Sequence, residues 1–347
     1  MDIRTRKRVL NLRAQKRPDI EKYLSEIGEK VYRATQIIRW LWQKGETDIM
    51  KFSDLPLSLR KKLSEDFFVY SAKPLSIKKS SHDKSIKFLL RLLDGAEVES
   101  VFIPDGKRRT VCVSSQVGCP LKCTFCATGK LGYKRNLEFW EILEQVRFIQ
   151  NYTGERITNV VFMGMGEPML NMDNVLDAID LLQENDAFRI GARKITVSTA
   201  GIVPGIYRLL EYGKQVKLAV SLNTAIQEKR EKIMPIAKRY PLSELRKAVM
   251  DYYKVKKRWV TFEYIHLVGF NDTPEDIKAL KRFIEGIPCK INLIPYNTFK
   301  GSPFREPTEK ETEEFLKKLY KLKATITLRK SKGRDIKGAC GQLAYLK

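Results

Sequence analysis

Three closely spaced cysteines are the residues of this sequence best suited to chemistry. They are Cys119, Cys123 and Cys126, in the spacing C-x3-C-x2-C. Thiolate-rich sites of this kind bind zinc, copper(I) or iron–sulfur clusters. A closed zinc site takes four Cys or His ligands, and neither His82 nor His266 lies near this segment. Three ligands on a four-iron cluster would leave one iron open to a small molecule. The alternatives are a zinc site completed by a distant cysteine and three unrelated buried cysteines.

The length and composition of the chain favour one large domain and a small one around a substantial core. Of its 347 residues, 43% are hydrophobic. No stretch of about 18 uncharged apolar residues occurs, which argues against a membrane-spanning helix. The basic residues 1–17 lack the apolar region of a secretory signal, and six cysteines in a chain this long do not suggest a disulfide framework. We therefore expect a cytoplasmic protein.

A large excess of positive charge predicts a polyanionic partner. Lys and Arg number 65 against 41 Asp and Glu, which gives a net charge of +24. A heat-adapted surface would explain many charges of both signs but not this imbalance. RNA or DNA is favoured over a membrane surface, because no basic amphipathic helix with a bulky apolar face stands out. Segments able to contact phosphates are 1–17, Lys107–Arg109, Lys254–Arg258 and Arg329–Lys337, although each could equally be a solvated face or, for 1–17, a loose tail.

Local patterns divide the chain into three parts. Residues 1–70 have the pattern of a small helical accessory domain, for which we expect RNA binding. Residues 71–108 hold a β-hairpin extension, because two strand-like runs flank the turn pair Asp94-Gly95. Residues 109–347 alternate strands with helices. The predicted strands of this last part are Thr110–Ser114, Ile157–Phe162, Lys194–Ser198, Val216–Leu222, Trp259–Ile265, Lys290–Ile294 and Thr325–Arg329.

This alternation predicts an α/β fold with a parallel sheet. Eight βα units would close a full barrel, so about six predict a partial, (β/α)6 TIM-type barrel. Helix starts are indicated by Asn136 as an N-cap, by Thr273-Pro274 and by the capping box Thr308-x-x-Glu311. In β/α barrels the active site lies at the carboxyl ends of the strands, which is where the cysteine loop is expected.

Other residues at these strand ends predict contacts to one cofactor. Glycines after the second strand would let the backbone approach a ligand, and the carboxylate beside them could accept a hydrogen bond from an ammonium group. Each residue alone could belong to an ordinary turn or cap. Together they predict a ring of small polar contacts. The strand-end segments that supply these contacts are Met163–Pro168, Ser198–Gly201, Ser221–Asn223 and Tyr296–Asn297, with Glu167 as the one carboxylate.

Two further cysteines and a glutamate are expected close to the cysteine loop. Cys112 lies on the strand that leads into the loop, and Glu99 lies on the strand before it. Cys340 follows the last strand, where a tail can fold back over the mouth of the barrel. Cys289 has the pattern of an ordinary buried cysteine, and that interpretation would also be natural for Cys112 between two valines.

Several motifs together resemble one enzyme family. The cysteine spacing, with Phe125 beside it, resembles the cluster motif of the radical-SAM enzymes, which bind S-adenosylmethionine (SAM). The segments Met163–Pro168, Val197–Gly201 and Ala339–Leu343 resemble those of the radical-SAM RNA methyltransferases that modify an adenine carbon. The resemblance covers nearly the whole chain and implies the partial barrel of that family. It is closest to the branch that methylates C2 of an adenosine in 23S rRNA and, in some members, in tRNA; Pro168 favours this branch over the sister branch, which methylates C8.

The resemblance implies a role for each candidate residue. Cys119, Cys123 and Cys126 would hold a [4Fe–4S] cluster. The residues that would bind SAM are Gly166, Glu167, Ser198, Ser221, Leu222, Asn223 and Asn297. Cys340 would take a methyl group from one SAM, and a radical made from a second SAM would activate that methyl group for addition to C2. Cys112 would then resolve the protein–RNA link by forming a transient disulfide with Cys340.

Other assignments implied by the resemblance stay open. Glu99 would accept the C2 proton, although the sequence alone allows Cys112 as the base. Family members commonly carry His where this chain has Asn223; a backbone contact to SAM would survive this change, but a required imidazole would not. The implied partners are 23S rRNA, tRNA in some members, and an external electron donor, and we expect a monomer. The rival from another class is a non-catalytic iron–sulfur or zinc protein that binds RNA.

Overall fold

The computed structural model describes residues 9–344, so Arg4, Arg6, Lys7 and Arg8 of the basic N-terminal segment lie outside the described residues. The strands are β1 (Leu10–Asn11), β2 (Phe67–Phe68), β3 (Lys73–Lys79), β4 (Ile86–Arg91), β5 (Glu97–Asp105), β6 (Arg108–Cys112), β7 (Gln116–Gly118), β8 (Tyr133–Asn136), β9 (Asn159–Phe162), β10 (Ile195–Thr199), β11 (Lys217–Ser221), β12 (Val260–His266), β13 (Cys289–Pro295) and β14 (Thr325–Leu328).

The α-helices surround these strands and also form the N-terminal part of the chain. They are α1 (Arg17–Glu26), α2 (Arg33–Ile38), α3 (Leu57–Asp66), α4 (Ala127–Lys130), α5 (Phe139–Thr153), α6 (Met172–Gln183), α7 (Val203–Glu211), α8 (Gln227–Ile233), α9 (Leu242–Lys256), α10 (Pro274–Ile284) and α11 (Glu309–Leu319). None of the helices within residues 9–344 is both long and apolar enough to span a membrane.

A ten-stranded sheet organises the molecule, in the order β14-β13-β12-β11-β10-β9-β6-β5-β4-β3. The seven strands from β6 to β14 are parallel, and helices connect each of them to the next. The strands β3 to β6 pair antiparallel. The sheet is therefore a partial barrel with an antiparallel extension along its first strand, which confirms the predicted fold class.

The helical N-terminal part is attached to the barrel through a buried arginine. Arg13 has no exposed surface; its Nη1 donates to Glu144 Oε2 on α5 at 2.8 Å, and its Nη2 donates to the carbonyl of Leu41 at 3.2 Å. Burial lowers the pKa of Arg13 to about 10, against the opposing effect of Glu144. The division of the chain into the domains 1–70, 71–108 and 109–347 stays a prediction.

Some local expectations differ from the structure. The helix expected to start at Asn136 begins at Phe139 instead, with Glu138 and Glu141 forming its capping box. Asn136 ends β8, and its Oδ1 accepts a hydrogen bond from Gln116 Nε2 at 2.8 Å. The caps at Thr273 and Thr308 are present as expected.

The edge strand β3 was not among the expected strands. Its sequence, Lys-Pro-Leu-Ser-Ile-Lys-Lys, has charged residues and a proline, and its side chains are exposed or half-buried. Such composition is common at sheet edges, where it prevents pairing with other chains, and it hides the alternation that identifies a strand.

Candidate active site

The cysteine loop joins β7 to α4 at the carboxyl end of the parallel strands. Cys119 directly follows β7, and Cys126 is the N-cap residue of α4. The amide of Cys119 donates to the carbonyl of Gly132 at 2.8 Å. Gly118 adopts a φ of +79°, and a Cβ on it would lie 2.0 Å from the Gly132 oxygen. The loop is therefore held in place by backbone contacts that require glycine beside the first cysteine.

The three loop cysteines line one cavity together with Gly166 and Glu167. All three are free thiols. Burial raises the pKa of Cys119 to about 12, and burial followed by the neighbouring sulfurs raises the pKa of Cys123. Thiols that converge in a buried space favour the thiolate form only next to a cationic centre, which an iron–sulfur cluster supplies.

The chemistry of the donors at this loop suits an iron–sulfur cluster. Three cysteine sulfurs line one cavity, and thiolates are the ligands that such clusters take. The donor set of the loop therefore fits the predicted cluster.

The glycine-rich segment after β9 packs against the strand that leads into the cysteine loop. A Cβ on Gly164 would lie 2.6 Å from the carbonyl oxygen of Val113, and one on Gly166 would lie 2.6 Å from Gln116 Cβ. Gly166 also has a φ of +101°. Both glycines line the cavity. Their lack of a side chain is needed because Val113 and Gln116 pack directly against them.

Glu167 is buried at the centre of this cavity wall. Its two carboxylate oxygens accept hydrogen bonds from the amides of Ala200, at 2.7 Å, and Met169, at 3.0 Å. Burial nevertheless raises the pKa of Glu167 to about 7, against the lowering effect of these two amides. The carboxylate is thereby fixed in orientation while it faces the cysteine sulfurs.

The remaining strand-end candidates divide into two groups. Ser198 and Ser221 line the cavity. Leu222 and Asn223 are fully buried and lie outside its lining. Asn223 has a φ of +59°, and its Oδ1 accepts a hydrogen bond from the amide of Ile265 at 3.1 Å. In the structure Asn223 joins the ends of β11 and β12, a conformation that asparagine tolerates better than most residues.

Asn297 contacts the C-terminal tail, which we define as residues 331–344. Its Nδ2 donates to Ser331 Oγ at 3.0 Å and to the carbonyl of Cys340 at 3.5 Å. Its Oδ1 is buried and has no partner among the described residues. Asn297 lies outside the lining of the cavity that contains the loop cysteines, so the structure brings it to the tail and not to that cavity.

The tail folds back onto the cysteine loop. The amide of Ala127 donates to the carbonyl of Gly341 at 2.7 Å, and Thr128 Oγ1 donates to the carbonyl of Leu343 at 2.7 Å. Cys340, which lies just before these contacts, lines the cavity that contains the three loop cysteines. The predicted position of the tail over the mouth of the barrel is therefore observed.

A second cavity beside the first is lined by both Cys112 and Cys340. Burial raises the pKa of Cys112 to about 12, the Cys340 sulfur acts in the same direction, and the Arg329 guanidinium opposes them. The neighbouring Cys340 sulfur does most to raise the pKa of Arg329. Burial opposes it, and Glu263 and Cys112 act in the same direction as Cys340. Arg329 Nη1 lies 3.7 Å from Glu263 Oε2. The Arg329 guanidinium thus interacts electrostatically with both Cys112 and Cys340.

Glu99 lies on the same face of the sheet as Cys112. Val101 is the register partner of Cys112, and Glu99 precedes Val101 by two residues. Its carboxylate Oε1 lies 3.0 Å from Lys87 Nζ, and both side chains are almost completely buried. Lys87 Nζ also donates to the carbonyl of Lys337 at 3.2 Å. The ammonium group therefore connects Glu99 to the tail that carries Cys340.

Two residues of this site were missed from the sequence. Lys87 lies in a predicted strand. A lysine side chain that points toward the core of such a strand needs a buried acidic partner, and this was the one signal that could have identified it. Arg329 begins the segment that was expected to contact phosphates, but it is half-buried and faces the two cysteines. Arg329 is 217 positions from Cys112 in the chain, so no local sequence pattern indicated that the two residues are close in space.

Two family models match this chain. The Radical SAM superfamily matches residues 113–284. The ribosomal RNA large subunit methyltransferase N-terminal domain matches residues 10–69.

Curated proteins and a solved structure match almost the whole chain. The dual-specificity RNA methyltransferase RlmN of Anaeromyxobacter dehalogenans is 43% identical over 342 residues, covering 96% of this chain and 91% of its own length. The protein with the same name from Geobacter sulfurreducens is 43% identical over 94% of this chain and 89% of its own length. The crystal structure of a radical SAM methyltransferase from Sphaerobacter thermophilus has a TM-score of 0.91 and 37% identity, covering 96% of this chain and 99% of that one.

The buried pair Lys87–Glu99 gives a stability prediction. Lys87→Met removes the cation and leaves the carboxylate in its buried position, which costs about 3–5 kcal/mol because a buried charge loses its partner. The double variant Lys87→Met/Glu99→Leu should recover most of this loss. Urea unfolding of both variants measures the change in the free energy of unfolding. The control is Lys22→Met, which removes the cation of the exposed pair Lys22–Glu26. A cost below about 1 kcal/mol for Lys87→Met, similar to an exposed pair, would contradict this account of the site.

Proposed function

Since this chain belongs to the dual-specificity RNA methyltransferase family RlmN, within the radical SAM superfamily, we propose that it methylates C2 of an adenosine in 23S rRNA and in tRNA with Cys340 as the methyl carrier. The chain is a radical-SAM RNA methyltransferase whose cofactors are a [4Fe–4S] cluster and SAM. The observation that carries the proposal is the position of Cys340, which lines both the cavity of the loop cysteines and the cavity of Cys112.

Each cofactor would have its own set of residues. Cys119, Cys123 and Cys126 would hold the cluster. The SAM contacts would be Gly166, Glu167, Ser198, Ser221, Leu222, Asn223 and Asn297. Leu222 and Asn223 would act indirectly, because they lie behind the cavity wall and fix the end of β11. When bound, the cluster and SAM supply the one-electron chemistry that removes a hydrogen atom from a methyl group held nearby.

Cys340 and Cys112 would divide the covalent chemistry. Adenine C2 lies between two ring nitrogens and is electron-poor, so it does not attack the methyl group of SAM, whereas the thiolate of Cys340 does. The activated methylene on Cys340 would then form a carbon–carbon bond with C2. The addition product would lose the C2 proton to a base and one electron back to the cofactor site that had reduced SAM. Cys112 would then attack the Cys340 sulfur. The sulfur–carbon bond breaks, its electron pair stays with the nucleoside carbon and takes up a proton, and a Cys112–Cys340 disulfide forms.

Arg329 would favour the thiolate forms that this sequence of events requires. Arg329 lines the cavity that contains both cysteines, and its Nη1 lies 3.7 Å from Glu263 Oε2. In the resting protein, burial raises the pKa of Cys112 to about 12, so this side chain is a thiol at neutral pH. The attack of Cys112 therefore needs a proton acceptor and the nearby cation together.

Glu99 is the better candidate for the base that takes the C2 proton. It is a carboxylate whose position is fixed by Lys87 on the face of the sheet that carries Cys112. Cys112, the alternative base, would have to lose its own proton first. Assigning the base to Glu99 leaves Cys112 available as the resolving thiol.

The target adenosine must leave its stack to reach this site. Enzymes that modify a base act on unstacked or flipped nucleotides, which single-stranded and loop RNA provide at low cost. We propose that residues 1–70 form an RNA-binding accessory domain beside the barrel, with 71–108 as the extension and 109–347 as the catalytic part. An external electron donor and a monomeric state complete the proposal.

The position of the new methyl group tests the proposed reaction. Reconstituted protein, incubated with SAM, a reductant and a 23S rRNA fragment, should yield 2-methyladenosine on nucleoside mass spectrometry. Cys340→Ala should reduce this product to background. Methylation at C8 would assign the chain's activity to the sister reaction, and RNA binding without any methylation by the intact protein would support the non-catalytic alternative.

The division of labour between the cysteines gives a second prediction. Cys112→Ala should accumulate a covalent protein–RNA adduct, because the thiol that breaks the link is missing. Denaturing gels and mass spectrometry of the digested adduct should locate the link at Cys340. Cys289→Ala is the matched control, since Cys289 is equally buried but lies on β13 away from both cavities, and it should release methylated RNA normally. Normal release by Cys112→Ala would contradict the two-cysteine scheme.

A further inference from the structure

A large basic surface lies at the amino ends of the parallel strands, opposite the candidate active site. We call it the basal face and define it by Arg108, Arg156, Lys194, Lys217, Arg258 and Lys290. Arg108 begins β6, Lys194 directly precedes β10, and Lys217 begins β11. The loop cysteines, Ser198 and Ser221 lie at the carboxyl ends of these strands.

Two grooves shape this surface. One, of about 1040 Å³, contains Arg108, Arg156 and Lys194, and the other contains Lys217, Arg258 and Lys290. No described Asp or Glu lines either groove. Most of these cations are exposed, and none of the six forms an ion pair with a described residue. Positive charge is therefore concentrated here without the neutralisation seen elsewhere on the molecule.

Lys217 interacts electrostatically with cations of both grooves. Burial lowers the pKa of Lys217 first, and the charges of Arg258, Arg108, Lys194 and Lys290 lower it further. These four cations come from both grooves, and their mutual repulsion would be relieved by a bound polyanion. A structural role alone gives no reason to gather like charges in one place.

An exposed aromatic side chain completes the surface. Trp259 lines the second groove and is 54% exposed, although tryptophan is usually well buried. Cations beside an exposed aromatic ring suit nucleic acid, because phosphates bind the cations and an unpaired base stacks on the ring. An acidic protein would use the charges but would leave the ring unexplained.

We propose that the basal face binds the phosphate backbone of a second segment of the folded RNA substrate, away from the nucleotide that is methylated. This inference rests on the proposed function, in that RNA is the substrate. The length of β11 separates Lys217 from Ser221 by about 13 Å, so a nucleotide at the catalytic cavity cannot also occupy the basal face. The RNA therefore has to extend around the edge of the barrel, which a large folded RNA does and a short stem-loop does not.

Charge reversal on the basal face tests the proposal. The variant Arg156→Glu/Lys194→Glu/Lys290→Glu changes three surface residues far from the cysteine loop. Binding of a long, folded 23S rRNA fragment should weaken at least about tenfold, and the slope of log K against log salt should fall by about 2–3, because three phosphate contacts are lost. The ratio of kcat/KM for the long fragment to that for a short stem-loop containing the target adenosine should fall about tenfold as well.

A matched control separates this effect from net charge. Lys317→Glu/Lys318→Glu/Lys321→Glu makes the same change in charge on exposed positions in and just after α11. It should weaken binding of the long fragment much less and leave the ratio unchanged. Equal losses for the two variants, or an unchanged salt slope for the basal variant, would overturn the proposal.

If the basal face binds a protein instead of RNA, the basal variant would lose turnover with a protein electron donor and keep its affinity for RNA. If the basal variant binds the long RNA normally but loses only the turnover that depends on a protein electron donor, the basal face binds an acidic protein and the RNA proposal is wrong. Binding is measured without turnover, so a failure of the intact protein to methylate C2 would refute the proposed function while leaving this test valid.

Discussion

The docking of the C-terminal tail onto the cysteine loop is the contact on which the proposed chemistry depends. Two hydrogen bonds, from the amide of Ala127 to Gly341 and from Thr128 Oγ1 to Leu343, hold the tail against the start of α4. Buried backbone groups need hydrogen-bond partners, and here the start of α4 supplies the donors for two carbonyl groups of the tail. As a result Cys340 lies between the loop cysteines and Cys112, although it is more than 200 residues from either in the sequence.

Paired charges extend this junction across the sheet. Lys87 connects Glu99 to the carbonyl of Lys337. Arg329 lies 3.7 Å from Glu263 and lines a cavity with both Cys112 and Cys340. Charges with little exposure to solvent are stable only when they are paired, so each pair would fix the position of a group that the proposed reaction uses. Lys87 and Arg329 at the end of the barrel that carries the cysteine loop thus have acidic partners, whereas no described Asp or Glu lines the two grooves at the amino ends of the strands.

The sequence predicted the parallel part of the fold well, because its strands carry buried apolar runs between helical patterns. It also identified the cysteine loop, the glycine-rich segment after β9 and the tail, because their spacing and residue types depend on local chemistry. The edge strand β3 escaped notice, since its lysines and proline suit solvent rather than a core. Lys87 and Arg329 could not be assigned, because their partners come from distant segments and depend on sheet register and tail docking. Asn223 was expected at the cofactor, but its position behind the cavity wall depends on a backbone conformation that the sequence did not reveal.

The most direct test of the central claim follows the methyl group through the protein. The protein is first methylated with SAM that carries a fully deuterated methyl group, the excess is removed, and one turnover with RNA is run using unlabelled SAM. If Cys340 carries the methyl group, mass spectrometry should find a C2 methyl with two deuterium atoms, because one is removed during activation and a solvent proton replaces it. A product without deuterium would show direct transfer from SAM to RNA and would contradict the account.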